Sequence, residues 1–295
     1  MASLVGHNRA RQRVYISVFR ALARTYFVLG LTEMAYLNLQ NVCVDFPIYY
    51  GGSPSLKRSL LNAAVRKQRN LERDQSDRIS VRALNDISID IKKGDRVALI
   101  GANGAGKTTL LKLLAGVYEP TSGSIKASGA VCSLLDVNVG FNLDATGYEN
   151  IILRGMFMNM RPEVMKGHVE QIAEFTELGP YLDMPVRTYS AGMIIRLSFA
   201  IATCVPPEIL VMDEWLAAGD ASFLEKAKRR MEEFVRSSSI LVLASHSMPL
   251  LEQWCNRAIL LDQGHIRASG DLGSVSAAYR KMNFSNDGQS AIDES

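Results

Sequence analysis

The stretch RVALIGANGAGKTTLLKLLAG, residues 96–116, decides the fold. Arg96 to Ile100 is a short apolar run, the signature of a strand covered on both faces. Gly101-Ala102-Asn103-Gly104-Ala105-Gly106-Lys107-Thr108 follows and matches G-x-x-x-x-G-K-[ST]. Thr109 to Gly116 then reads as a helix and its end. A strand, a glycine-rich turn and a helix start are the context in which this pattern cradles phosphate. Glycines let successive backbone N–H groups turn inward with no Cβ in the way. The helix N-terminus adds a favourable dipole. Lys107 stands where it would neutralise β- and γ-phosphates, and the Thr108 hydroxyl is a ligand for Mg²⁺.

A second strand, Glu208 to Met212, runs into Asp213-Glu214. Two carboxylates at the end of a buried strand are costly unless they face a cation or donors. Paired with the glycine loop, Asp213 is expected beside Thr108 on the Mg²⁺, and Glu214 is expected to orient and deprotonate an attacking water. A third buried strand, Ile240 to Ala244, leads to His246.

The rest of the chain frames these elements. Ala35 to Phe46 and Ala83 to Ile91 alternate as half-buried strands do, and residues 257–268 read as a hairpin around Gln263-Gly264. Ser55 to Arg73 reads as a basic helix and a polar linker. Glu149 to Phe157 and Pro162 to Leu178 have helical spacing, which predicts a helical subdomain over about 140–190. Asn283 to Ser295 is small and polar and is expected to be disordered.

Composition narrows the class. With 295 residues, 47% hydrophobic and 21% charged, the chain is globular, and a net charge of +3 is too small to imply a nucleic-acid binder. Cys43, Cys132, Cys204 and Cys255 form no paired motif, which argues against a zinc site and fits a reducing compartment. No run spans a membrane, because the most apolar one, Val14 to Leu31, carries Arg20 and Arg24. Residues 1–35 hold a basic amphipathic helix pattern. It is either a membrane-surface helix or an extension ahead of a true start at Met34.

Tyr189-Ser190-Ala191-Gly192-Met193, followed by Arg196, resembles the signature motif of ABC transporter ATPases. Gly219-Asp220 resembles their D-loop, and His246 their switch histidine. The resemblance covers about residues 36–275 and leaves 276–295 as a short tail. It implies an α/β P-loop NTPase of the ABC type, with a mainly parallel central sheet, an antiparallel β subdomain and a helical subdomain. It also implies ATP and Mg²⁺ as ligands. The nucleotide would meet Gly101 to Thr109 of one chain and Ser190, Ala191, Gly192 and Met193 of a second copy. Taken alone, Ser190 could merely start a helix as its N-cap, and a lone histidine such as His246 is more often a hydrogen-bonded core residue; beside the other elements His246 is expected to contact the γ-phosphate.

VDFPIY (44–49), SLKRSLL (55–61), GVYEPTSGSI (116–125), TGYENIILRG (146–155) and DEWLAAGDASFLEKA (213–227) resemble the ATPase subunits of bacterial polysaccharide exporters. That group handles O-antigen, capsule and teichoic acid glycans. The resemblance implies a homodimer at the cytoplasmic face of the inner membrane, bound to a separate multi-helix permease and driving export of a lipid-linked polysaccharide, with no nucleic-acid partner. Lys57, Arg58, Arg66 and Lys67 would face lipid or substrate phosphates, or else water. An ATPase of another ABC transporter, importer or teichoic-acid exporter, is the alternative, ahead of a soluble ABC ATPase.

The chain departs from the family pattern in four places. The signature reads S-A-G-M. Asp136 and Asn138 stand where a Gln is usual after the strand from Ala130 to Leu135. No aromatic precedes Ala83 to stack on adenine, a role left to Tyr49, Tyr50 or an apolar side chain. About 20 residues follow the core, so no C-terminal sugar-binding domain is expected.

Overall fold

Strands that are apolar at every position need cover on both faces, and the architecture supplies it. The computed structural model describes residues 34–47, 71–73, 79–135, 140–158, 160–213 and 221–290. The chain begins with β1 (Tyr36–Pro47), β2 (Leu71–Arg73), β3 (Ile79–Lys92) and β4 (Arg96–Ile100), then α1 (Lys107–Leu114), β5 (Ser122–Ser128) and β6 (Val131–Ser133). Three α-helices follow, α2 (Gly147–Phe157), α3 (Pro162–Thr176) and α4 (Ala191–Ala202), with two short 3-10 turns between α3 and α4. The last part runs β7 (Ile209–Asp213), α5 (Ala221–Ser237), β8 (Ile240–Ala244), α6 (Met248–Trp254), β9 (Arg257–Asp262), β10 (His265–Asp271) and α7 (Leu272–Ser290).

Among the described residues these strands make two sheets. The first is antiparallel, in the order β2-β3-β1-β5. The second has the order β10-β9-β4-β8-β7-β6 and is parallel except for the β9–β10 hairpin at its edge. Successive residues of a strand point to opposite faces, so each central strand feeds two cores. Val97, Leu99, Val211, Val242 and Ile259 pack with β1, β3 and α1 in one core. Ala98, Ile100, Leu210, Leu243 and Leu260 pack with the helices in the other.

The helical layer is held by polar devices the sequence encodes locally. Thr146 caps α2: its hydroxyl accepts the Glu149 N–H at 3.2 Å, and the Glu149 carboxylate accepts the Thr146 N–H at 2.8 Å. Asn150 is fully buried and pins the preceding loop. It accepts the Asn142 N–H and donates to the carbonyls of Asn142 and Thr146, each at 2.9 Å. Phe175, Phe199 and Phe223 join α3, α4 and α5 in an aromatic cluster with centroids 5.6–6.4 Å apart.

The structure revises two expectations. Leu71 to Arg73 is a strand rather than linker, paired with Ile79 to Val81. Unpaired backbone groups along the edge of β3 recruit it, and a three-residue stretch in a polar linker gives no local sign of that. The tail from Asn283 is helical to Ser290 rather than disordered. Leu272 and Val275 bury the start of α7, and a nucleated helix gains a hydrogen bond with each added residue until a breaker intervenes. The N-terminal segment 1–33 and the basic stretch 48–70, with Lys57, Arg58, Arg66, Lys67, Tyr49 and Tyr50, lie outside the described residues. Among the described residues no helix is long and apolar enough to cross a membrane.

Candidate functional site

The carboxyl edge of a parallel sheet is where open α/β folds gather their ligands. Here β4, β8 and β7 are consecutive neighbours. The residues that leave Ile100, Ala244 and Asp213 therefore emerge side by side.

Residues 101–106 leave β4 as the loop that opens α1. Gly101, Gly104 and Gly106 have φ of 153°, 79° and 106°, values that L side chains rarely adopt. The back of the loop is tightly packed. A Cβ on Gly101 would strike the carbonyl oxygen of Leu261, and one on Gly106 would sit 2.9 Å from that of Ala83. The front is open: a Cβ on Gly104 would meet nothing within 4 Å, and Ala102 and Asn103 are exposed. Ala105 is buried behind the loop, and Thr109 is half-buried on α1. The Lys107 ammonium arches back over the loop and donates to the carbonyls of Gly101 at 2.6 Å and Ala102 at 3.0 Å. An open concavity of backbone donors with a cation at its mouth suits a polyphosphate.

Thr108 follows in the first turn of α1, and its hydroxyl donates to the Asp213 carboxylate at 2.6 Å. These residues are far apart in sequence and meet only because β7 lies two strands from β4. A hydroxyl and a carboxylate in contact are the hard oxygen donors that Mg²⁺ takes, with phosphate oxygens and water completing the shell. No group of three or more His, Cys, Asp or Glu among the described residues can hold a metal by itself. Three of the cysteines are not candidates either: burial pushes the thiols of Cys132 and Cys255 up to about 12 and that of Cys204 up to about 11. Such thiols carry almost no thiolate near neutrality.

His246 lies two residues beyond β8 and is exposed, so it is not the core histidine that its buried strand suggests. Ser190 is the N-cap of α4, accepting the Met193 N–H at 3.3 Å. Ser190 and Ala191 are exposed at that helix start, and Gly192 and Met193 are half-buried behind them. Glu214, Asp220, Asp136 and Asn138 lie outside the described residues.

The β9–β10 turn was legible in sequence as a hairpin, but not as part of this site. Gly264 donates its N–H to the Ala105 carbonyl at 3.0 Å and so reaches the back of the glycine loop.

The sequence profile of the ABC transporter family matches residues 84–217. An O-antigen export system ATP-binding protein of Yersinia enterocolitica, RfbE, is 40% identical over 79% of this chain and 97% of the relative. The chain belongs to the ABC transporter family. Another such relative, RfbB of Myxococcus xanthus, is 42% identical over 75% of this chain, and the match spans half the length of that protein. The teichoic acids export ATP-binding protein TagH of Bacillus cereus is 38% identical over 76% of this chain and 41% of the relative. Among solved structures, an ATP-binding subunit of an ABC transporter matches with a TM-score of 0.58 at 20% identity, covering 82% of this chain and 92% of that one. A dimeric post-hydrolysis cassette, MJ0796, bound to ADP and Pi, matches with a TM-score of 0.55 at 19% identity, covering 80% and 98%. These likenesses establish that this family member has the ABC ATPase fold, with its mixed α/β layers and parallel sheet.

Proposed function

We propose that this chain is the ATP-hydrolysing subunit of an exporter that moves a lipid-linked polysaccharide across the cytoplasmic membrane. The observation that carries the ATPase half is the 2.6 Å contact of Thr108 with Asp213 beside the open glycine loop. The substrate half rests on the O-antigen and teichoic acid export relatives.

In this reading the loop amides from Gly104 to Thr108 hold the β- and γ-phosphates of ATP. Lys107 leaves the carbonyls of Gly101 and Ala102 for phosphate oxygens, exchanging neutral acceptors for charged ones. Thr108 and Asp213 would hold Mg²⁺, which would draw negative charge from the phosphate oxygens. Glu214 accepts a proton as a water oxygen bonds to the γ-phosphorus and the bond to the β-phosphate oxygen breaks. His246, exposed two residues beyond β8, would contact the γ-phosphate. Ser190, Ala191, Gly192 and Met193 of a second copy would cover that phosphate, with Asp220 assigned the D-loop role between copies. Closure on ATP and reopening after hydrolysis drive a separate membrane permease.

A mixing experiment tests the shared sites. Lys107→Ala and Ser190→Arg chains are each inactive alone. A mixed dimer has one intact site, built from the loop of the Ser190→Arg chain and the signature of the Lys107→Ala chain. Phosphate release by the mixture should recover to roughly a quarter of the wild-type rate, since about half the dimers are mixed. A mixture as inactive as its components contradicts the composite site.

A further inference from the structure

We infer that the Gln263-Gly264 turn is a positioning brace that aims the phosphate-binding amide of Gly106, an inference that rests on the phosphate reading of the loop. Gln263 and Gly264 are the central residues of the turn between β9 and β10, with φ of 49° and 80°. Positive φ at both positions is the type I′ geometry of a two-residue hairpin. The turn does more than reverse the chain. The Gly264 N–H donates to the Ala105 carbonyl at 3.0 Å, and the Gly264 carbonyl accepts the Asn85 N–H from β3 at 2.8 Å.

Peptide geometry links this contact to the ligand side. No peptide among the described residues is cis. In a trans peptide the C=O of one residue and the N–H of the next point in opposite directions. A carbonyl of Ala105 held back on Gly264 therefore turns the Gly106 N–H forward, into the open side of the loop. Left unheld, that plane is free to rotate about ψ of Ala105 and φ of Gly106, the second of which glycine leaves permissive.

The junction tolerates only glycine on its inner side. A Cβ on Gly264 would lie 2.8 Å from the Ala83 carbonyl oxygen, and one on Gly106 would lie 3.0 Å from Leu84 Cδ2. The Asn85 side chain adds a second link to the turn, with its Nδ2 3.2 Å from His265 Nε2. Residues 83–85, 105–106 and 264–265 thus form one knot behind the loop. Residues 83–85 and 264–265 meet the loop from behind, through the Ala105 carbonyl and the inner side of Gly106, so their action on phosphate is indirect.

The test measures ATP and ADP binding to the full-length chain, together with KM and kcat for hydrolysis. Gly264→Ala should weaken ATP and ADP alike, by about tenfold, as the loss of one charge-assisted hydrogen bond does. It should raise KM by a similar factor and leave kcat within about threefold. Gly270→Ala lies in the same hairpin, where an added Cβ meets nothing within 4 Å, and should match the wild type. A purely structural role would lower the melting temperature without this split between KM and kcat. Wild-type affinity in Gly264→Ala, with Lys107→Ala still failing to bind, overturns the brace and leaves the phosphate reading standing. Absence of ATP binding by the wild type overturns both. If Gly264→Ala does not fold, Asn85→Ala is read the same way: a loss of about threefold supports the brace, and unchanged affinity overturns it.

Discussion

Lys107→Ala should weaken ATP binding about 100-fold, close to 2.7 kcal/mol, and lower hydrolysis at sub-saturating ATP by at least as much. The size follows from what the ammonium would exchange. In the free loop it donates to two neutral carbonyls, Gly101 and Ala102. With ATP present it would donate to phosphate oxygens that carry full charge, and hydrogen bonds to ionised acceptors are roughly twice as strong as neutral ones. The variant also loses a counter-charge at the mouth of the loop. It should fold normally, because Lys107 is only half-buried and the apolar face of α1 is formed by Leu110, Leu111, Leu113 and Leu114. Titration calorimetry beside a thermal melt separates these outcomes. Wild-type affinity with an unchanged melt would remove Lys107 from the site.

Glu214→Gln should do the reverse. ATP affinity should stay within about threefold of wild type while kcat falls about 1,000-fold, the scale of a lost general base. The carboxamide keeps the shape of the side chain but cannot take the proton from water. Binding persists because the loop amides, Lys107, Thr108 and Asp213 are untouched. Single-turnover phosphate release, measured with saturating nucleotide, reads the chemical step directly. Turnover at the normal rate would refute the role given to Glu214. The two variants together separate affinity from chemistry: one loses the ligand, and the other holds it unreacted.

Much of this fold was legible because its central strands are uniformly apolar. Arg96–Ile100, Ile209–Asp213 and Ile240–Ala244 fall where the sequence places strands, and their double-sided burial is what removes polar alternation. The glycine loop was legible for a different reason. Its positive φ values at Gly101, Gly104 and Gly106 demand glycine, so the conformation is written in the residue types. The Ser190 cap has the same character, since Ser is a favoured N-cap residue.

Contacts between distant elements were not legible. Nothing local to Gly264 says that its N–H reaches Ala105, because that bond depends on how the hairpin packs on the loop. The pairing of Leu71 to Arg73 with β3 likewise comes from a sheet edge that nothing local to those residues announces. The exposure of His246 went against its setting, since a strand buried to Ala244 gives no hint that the chain surfaces two residues later. The helix through Ser290 was hidden by composition: small polar residues read as disorder, but α7 is already anchored by Leu272 and Val275.

The central claim is that the loop ending at Lys107 holds a triphosphate with Thr108 and Asp213 on its cation. Equilibrium dialysis of the full-length chain against radiolabelled ATP, with and without Mg²⁺, tests it most directly. Saturation at one nucleotide per chain, weakened when Mg²⁺ is withdrawn and weakened again in Lys107→Ala, is the predicted result. No saturable binding, or saturable binding indifferent to both Mg²⁺ and Lys107, would contradict it.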